Sequence, residues 1–160
     1  MKTGTYPLFT RWGTSLFLLL VVASAAAEPD YRLVTDPRES ARESALRLLA
    51  LLAEGNIEAA AQLSNAPERR YEVLRDYQAA VGEPEFKQVY ARYFARGNRV
   101  LAEAAIGKHR LIIWDLGEAA HLAGQFFVEV DGRFLLDDVP NAERAKLQQV
   151  LAQYRKRNTR

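Results

Sequence analysis

The segment from His121 to Pro140 restricts the fold of this chain more than any other stretch. Two apolar runs lie on either side of Asp131 and Gly132. An Asp-Gly pair between such runs favours a type I′ turn, because both central residues of that turn need positive φ. The sequence therefore predicts a β-hairpin. A two-residue turn fixes its cross-strand pairs as Val130–Arg133, Glu129–Phe134, Val128–Leu135, Phe127–Leu136, Phe126–Asp137 and Gln125–Asp138.

In this register, both faces of the hairpin are largely apolar near the turn and become mixed toward Asp137 and Asp138. An antiparallel sheet with one face in water normally has one polar face. Three explanations stay open for the second apolar face. The C-terminal helix covers it, or it lines a cavity, or it forms a dimer contact.

Three or four helices are predicted before the sheet. The first is predicted over 38–54, with Asp36 as its N-cap and Pro37 at its first position. Asn56 is predicted to cap a short second helix, and Pro67 to open a third. A fourth segment has helical spacing and an aromatic-rich face, which we interpret as core packing. That face consists of Phe86, Val89, Tyr90, Tyr93 and Phe94.

The hydrophobic period changes from helical to strand-like after Gly97. The segment Arg99–Ile106 is predicted as a strand, although its alanines also allow a helix. A second strand is predicted over Arg110–Trp114. Separate groups of helices and about four antiparallel strands indicate the α+β class. Asn141 is predicted to cap a last helix, whose apolar face consists of Leu147, Val150, Leu151 and Tyr154.

Residues 1–27 have the pattern of a secretory signal peptide. Lys2 and Arg11 precede a short apolar run over 16–23, and small residues follow it. Cleavage is predicted after Ala27, with Ala25 as the alternative, so the expected location is the periplasm or the medium. The sequence contains no cysteine, so no disulfide can stabilise the exported domain.

The remaining chain is predicted to hold a single domain. Residues 28–35 are predicted as an extended lead-in, 36–154 as one α+β domain, and 155–160 as a basic tail. Positive charge is concentrated at the end, because residues 141–160 hold six basic side chains against Glu143 alone. Such charge suits a helix C-terminus, and it would also suit anionic lipid, a cell-wall polymer or nucleic acid. Tyr154 is the only aromatic residue there, which disfavours nucleic acid, and membrane contact is expected only through the signal segment.

The hairpin motif of two aromatics, Asp-Gly-Arg and a further aromatic resembles the nuclear transport factor 2-like superfamily. The matching residues are Phe126, Phe127, Asp131, Gly132, Arg133 and Phe134, and the layout corresponds over about 36–139. The resemblance implies N-terminal helices packed on a curved antiparallel sheet that encloses a pocket. The extra C-terminal helix departs from that pattern, as does the lack of a clear early strand between the second and third helices. The superfamily contains enzymes, binding proteins and assembly modules, so the resemblance alone fixes no function.

Candidate chemistry involves the two histidines, His109 and His121, and the carboxylates near the end of the hairpin. Enzymes of the resembling superfamily use Asp, His and Tyr for proton transfer. By that resemblance, Asp138 is the candidate base, His121 its partner and Tyr90 a hydrogen-bond donor. Two histidines twelve positions apart, without a thiolate, match no metal-ligand spacing, so we expect neither a metal nor a cofactor.

Three functions remain open from the sequence. We favour an exported, non-enzymatic ligand-binding or accessory protein, whose pocket for a small apolar molecule is lined by Tyr90, Phe94, Trp114 and Phe127. The alternative is a small lyase or isomerase that acts by acid–base chemistry. The third is a self-assembling module that forms a homodimer through the second face of the sheet.

Overall fold

The computed structural model describes residues 30–117 and 122–158 of the 160-residue chain. The predicted signal peptide, 1–27, and the candidate residue His121 lie outside these ranges. No helix within the described ranges has both the length and the apolar character needed to cross a bilayer.

The helices occur where the sequence predicts them, with one shifted start. Predicted helix 38–54 begins later, because Pro37–Glu39 forms a separate 3-10 turn and Ser40 is extended, with a ψ of 136°. Asp36 caps that turn through Arg38 N, at 2.9 Å, and does not cap the helix. Within the described ranges the α-helices are α1 (Arg42–Ala53), α2 (Ile57–Ala61), α3 (Pro67–Val81), α4 (Glu83–Ala91) and α5 (Ala142–Arg157).

Two predicted asparagine caps are confirmed by their hydrogen bonds. The side chain of Asn56 accepts from Ala59 N at 3.1 Å, and that of Asn141 accepts from Arg144 N at 2.7 Å. The predicted fourth helix ends at Ala91, and a 3-10 turn over Arg92–Phe94 follows it.

Among residues 30–117 and 122–158, five antiparallel strands form one sheet in the order β1-β2-β3-β4-β5. The predicted lead-in contributes a short edge strand, so the described sheet has one strand more than the expected four. The segment that also allowed a helix is strand β2. The strands are β1 (Arg32–Leu33), β2 (Arg99–Ile106), β3 (His109–Asp115), β4 (Leu122–Val130) and β5 (Arg133–Leu136).

The register of the β4–β5 hairpin is confirmed for the four pairs nearest the turn, whereas the predicted pairs Phe126–Asp137 and Gln125–Asp138 lie beyond the end of β5 and are not part of the ladder. Its ladder pairs Val130 with Arg133 and ends at Phe127 with Leu136. Asp131 and Gly132 have φ values of 51° and 74°, which is the backbone conformation that the type I′ turn requires.

Helices cover both faces of the sheet. Alternation along β3 sends Ile112 and Trp114 into a core with helices α1 to α4, and sends Leu111 and Ile113 into a second core against α5. Coverage by the C-terminal helix therefore explains the apolar second face of β2, β3 and β4. The molecule confirms the predicted α+β class.

Helix α5 extends beyond the predicted end of the domain at 154. It runs to Arg157, so the first three residues of the predicted basic tail are helical. The Nε of Arg155 also donates to the carbonyl of Leu122 at 2.9 Å, which ties this end of the helix to β4.

Candidate functional site

The candidate site forms where β5 stops short of the full length of β4. The ladder ends at the pair Phe127–Leu136, Asp137 N still donates to Phe126 O at 2.8 Å, and the chain leaves β4 after that hydrogen bond. The connection between α2 and α3 runs parallel to this point and pairs with it through Ser64. Leu136 N donates to Leu63 O at 2.7 Å, which brings the helical layer and the end of the hairpin together.

Asp138 is buried and engaged by an arginine. Its carboxylate accepts from Ser64 Oγ at 2.5 Å and from the Nε of Arg70 at 2.8 Å. A second contact joins the Nη2 of Arg70 to the other carboxylate oxygen, so the ion pair is bidentate. The backbone of Asp138 also donates to Asn65 Oδ1 at 2.8 Å. Asp138 therefore joins α3 and the α2–α3 connection to the end of the hairpin.

Asp137 is more deeply buried and accepts three side-chain hydrogen bonds. Asn65 Nδ2 lies 3.1 Å from its Oδ1, while His109 Nδ1 and Asn141 Nδ2 each lie 2.9 Å from its Oδ2. The other ring nitrogen of His109 lies 4.0 Å from Glu143 Oε2. The histidine–carboxylate pair in the described ranges thus joins β3 to the end of β5 and to the start of α5.

A cavity of about 310 Å³ adjoins these carboxylates. Five leucines form its apolar wall, and they come from α1, α3 and β5. The backbone of β4 passes along the cavity where that strand has no β5 partner. The apolar wall is formed by Leu48, Leu49, Leu52, Leu74 and Leu136, and the polar wall by Arg70, Tyr90, Tyr93, Gln125, Asp137, Asp138 and Arg144.

Arg144 reaches the cavity from α5. Its guanidinium carbon lies 5.5 Å from the centre of the Phe126 ring, in a cation–π arrangement. Its Nε is buried and has no hydrogen-bond partner among the described residues. An unpaired buried donor is costly, so this side chain has unused binding capacity.

Two tyrosines of the lining remain neutral phenols. Burial raises the pKa of Tyr90 to about 12, and it raises the pKa of Tyr93 as well, because water no longer stabilises the phenolate. Both hydroxyls can therefore donate hydrogen bonds throughout the physiological pH range.

The structure brings together only part of the predicted site. Tyr90 and Asp138 line the same cavity, while His121 lies outside the described residues. Trp114 is 3 % exposed and Phe127 is 1 % exposed, and both belong to the packed core rather than to the lining. Phe94 is 50 % exposed on the 3-10 turn that follows α4.

Sequence reasoning missed the two arginines of the cavity. Arg70 precedes the buried Leu74 by one helical turn, and Arg144 stands in the same relation to the buried Leu147. Residues three or four positions apart share a helix face, so each arginine lies on the inward side of its helix. That spacing is the signal that could have identified them.

A second groove, of about 510 Å³, lies between β2 and the start of α1. The buried Glu103 of β2 accepts there from Ala41 N at 2.8 Å and from Ser40 Oγ at 2.5 Å. Glu103 thereby caps α1 from a different element of the fold. Within residues 30–117 and 122–158, no three histidine, aspartate or glutamate side chains are grouped as a metal site requires.

No protein-family model, no curated protein and no solved structure matches this chain. The candidate function therefore depends on the geometry of the site itself.

Proposed function

We propose that this chain is an exported domain that binds a small molecule with an apolar body and does not chemically change it. The cavity of about 310 Å³ is the observation that carries this proposal, because five leucines face a polar wall across it. Ligand sites typically start at about 300 Å³ and combine apolar walls with a few polar groups. Transfer of the ligand's apolar surface from water onto the leucines supplies the driving force.

The state of Asp138 favours binding over catalysis. A general base needs an accessible lone pair within reach of the substrate. Asp138 instead has Arg70 on both carboxylate oxygens and Ser64 on one of them. Its lone pairs hold the fold together at this point, so the group fits a structural role better than proton abstraction.

The proposed fold family is the nuclear transport factor 2-like superfamily. Support comes from helices before an antiparallel meander and from a cavity between those two layers. The bridge between Ser64 and Leu136 adds one β-paired residue between α2 and α3. This is the place where the sequence alone shows no early strand.

Calorimetric titration of the protein with 1-octanol tests the binding proposal. The variant Leu136→Trp fills the cavity from β5, and Val73→Trp adds bulk at an exposed site of α3 that lines neither the cavity nor the second groove. We expect saturable binding to the wild type and to Val73→Trp, and its loss in Leu136→Trp. Equal binding by all three proteins, or binding by none, would contradict the proposal.

A small acid–base lyase or isomerase is the second candidate. The pair of His109 and Asp137 supports it, because a carboxylate on Nδ1 orients an imidazole for proton transfer at Nε2. Incubation with 2-octanone in D₂O measures proton abstraction next to a carbonyl by loss of the corresponding NMR signal. The enzyme proposal requires exchange faster than in buffer and its loss in His109→Gln. Exchange at the buffer rate would eliminate this chemistry for that ketone.

Export and self-association have separate tests. The intact mass of the protein recovered from the periplasm or medium should match cleavage after Ala27 or Ala25. A homodimer through the sheet would need surface that α5 does not already cover, since α5 packs on β2, β3 and β4. The solution mass distinguishes a single chain from a pair.

A further inference from the structure

The carboxylates of the cavity are already occupied by donors of the protein itself. Asp138 accepts from Ser64 and Arg70, and Asp137 accepts from Asn65, His109 and Asn141. A positively charged ligand would have to displace these buried hydrogen bonds. Each displaced donor would then lack a partner, which is costly in a buried site.

The unused polar groups of the cavity are donors. Trp114 Nε1 can only donate, so its 2.8 Å contact fixes the amide oxygen of Gln125 as the acceptor, and the amide NH₂ has no hydrogen-bond partner in the part of the chain that the structure describes. Among the described residues, the hydroxyls of Tyr90 and Tyr93 accept or donate no hydrogen bond, and the Arg144 guanidinium forms neither a hydrogen bond nor an ion pair. These unpaired hydrogen-bond donors favour a ligand that carries hydrogen-bond acceptors.

We propose that the cavity ligand is an amphipathic carboxylate and that Arg144 binds its anionic group. Tyr90, Tyr93 and Gln125 add neutral donors, and the leucine wall holds the apolar chain. A guanidinium matches a carboxylate in shape and charge. The ion pair of Arg70 with Asp138 leaves Arg144 as the lining cation without a carboxylate partner among the described residues, and the Asp137 carboxylate, held by donors of the protein, adds a negative charge to the lining. A single guanidinium beside that carboxylate favours a monoanion over a dianionic phosphate. The inference rests on the proposed binding function and specifies its ligand.

Three probes of equal chain length test the assignment: octanoate, 1-octanol and octylammonium. Titration of the purified protein by calorimetry at low ionic strength should give the tightest binding for octanoate. The variant Arg144→Met keeps an unbranched side chain and removes the charge. It should bind octanoate at least about tenfold more weakly and bind 1-octanol unchanged, because a charge-assisted hydrogen bond is lost.

Lys146→Met is the matched control, because Lys146 is exposed on the same helix, does not line the cavity and carries the same charge. It should bind octanoate as the wild type does. Tyr93→Phe is a second test variant, used if Arg144→Met folds poorly. It removes one hydroxyl, retains the ring that packs edge-on against Trp114, and should weaken octanoate binding severalfold.

The outcomes separate the ligand class from the binding function. Equal affinity for octanoate and 1-octanol, or an octanoate preference that survives Arg144→Met, would refute the role of Arg144 and leave the binding function intact. A preference for octylammonium would show that the carboxylates are the binding groups and would overturn the ligand class. Binding of none of the three probes would contradict both proposals.

Discussion

At the scale of single residues, the phenol of Tyr90 gives the pH dependence that follows most directly from burial. Its pKa is raised to about 12 by burial, against an ordinary value of 10.0. Between these two pH values the unfolded chain has lost the proton that the folded chain still binds. The free energy of unfolding must therefore fall as the pH rises from about 10 to about 12, and the contribution of this group is unchanged below pH 10.

Urea denaturation at a series of alkaline pH values measures this effect, with Tyr90→Phe as the comparison. The variant should lose stability less steeply above pH 10, and Tyr154→Phe should change the slope less, because burial raises the pKa of Tyr154 by less than that of Tyr90. Identical slopes for wild type and Tyr90→Phe would show that the phenol is not held neutral by the fold.

Gly124 shows how closely α5 approaches the sheet. A Cβ built at this position would lie 2.5 Å from Leu151 Cδ2 and 3.1 Å from Leu111 Cδ1. We expect Gly124→Val to lower the free energy of unfolding by about 1–3 kcal/mol, because overpacking forces core side chains out of their preferred rotamers.

A double-mutant cycle isolates that contact. Leu151→Ala removes the nearest atoms, so Gly124→Ala should cost less in the Leu151→Ala background than in the wild type. Calorimetric unfolding of the four proteins gives the coupling energy. Additive costs would mean that Leu151 does not limit the approach of α5.

At the scale of secondary-structure elements, the start of α1 depends on a side chain of β2. Glu103 accepts from Ala41 N and from Ser40 Oγ, whereas Ala41 makes no side-chain cap of its own. Glu103→Leu leaves both donors without a partner and should lower the free energy of unfolding by about 1–3 kcal/mol.

Asp36→Ala is the matched comparison, because Asp36 caps only the exposed 3-10 turn. Its cost should be less than half that of Glu103→Leu in the same chemical denaturation experiment. If the two costs were reversed, Asp36 rather than Glu103 would organise the entry into α1, as the sequence pattern predicts.

Local sequence patterns predicted most of the helices and strands. The features that the sequence did not predict depend on contacts between residues far apart in the chain. The Asp131-Gly132 turn fixed the hairpin register, and Asn56 and Asn141 marked two helix starts, because each acts within four positions of itself. Glu103 caps a helix 62 residues away, and β1 is only two residues long and is held by β2. Neither leaves a periodic signal in the sequence.

The same distinction holds for the candidate site. The sequence placed Asp138 and Tyr90 in a pocket, since one ends the hairpin and the other lies on an aromatic helix face. It could not show that Arg70, 68 residues away, neutralises Asp138. It also assigned Trp114 and Phe127 to the lining, although both are packed in the core, because an apolar sheet residue has the same pattern in either setting.

At the scale of the whole molecule, Asp137 connects parts of the chain that are otherwise far apart. Its carboxylate joins the α2–α3 connection through Asn65, β3 through His109, and the cap of α5 through Asn141. Helices on both faces of the sheet thus share one buried acceptor. A change at Asp137 should therefore weaken the helical layer and the packing of α5 together.

Asp137→Asn keeps the size of the side chain but replaces one acceptor oxygen with a donor. At least one of the three partners then loses its hydrogen bond, and we expect the free energy of unfolding to fall by about 2–4 kcal/mol. Asp76→Asn is the control, because Asp76 pairs with Arg75 at the surface and such pairs contribute about 0–1 kcal/mol. Urea denaturation gives both free energies of unfolding.

Amide hydrogen exchange shows where the structure is weakened in Asp137→Asn, and we expect faster exchange in both α2 and α5. A loss of protection confined to one of these helices would mean that Asp137 serves a single layer, and the connection between the two faces would then depend on the sheet core alone.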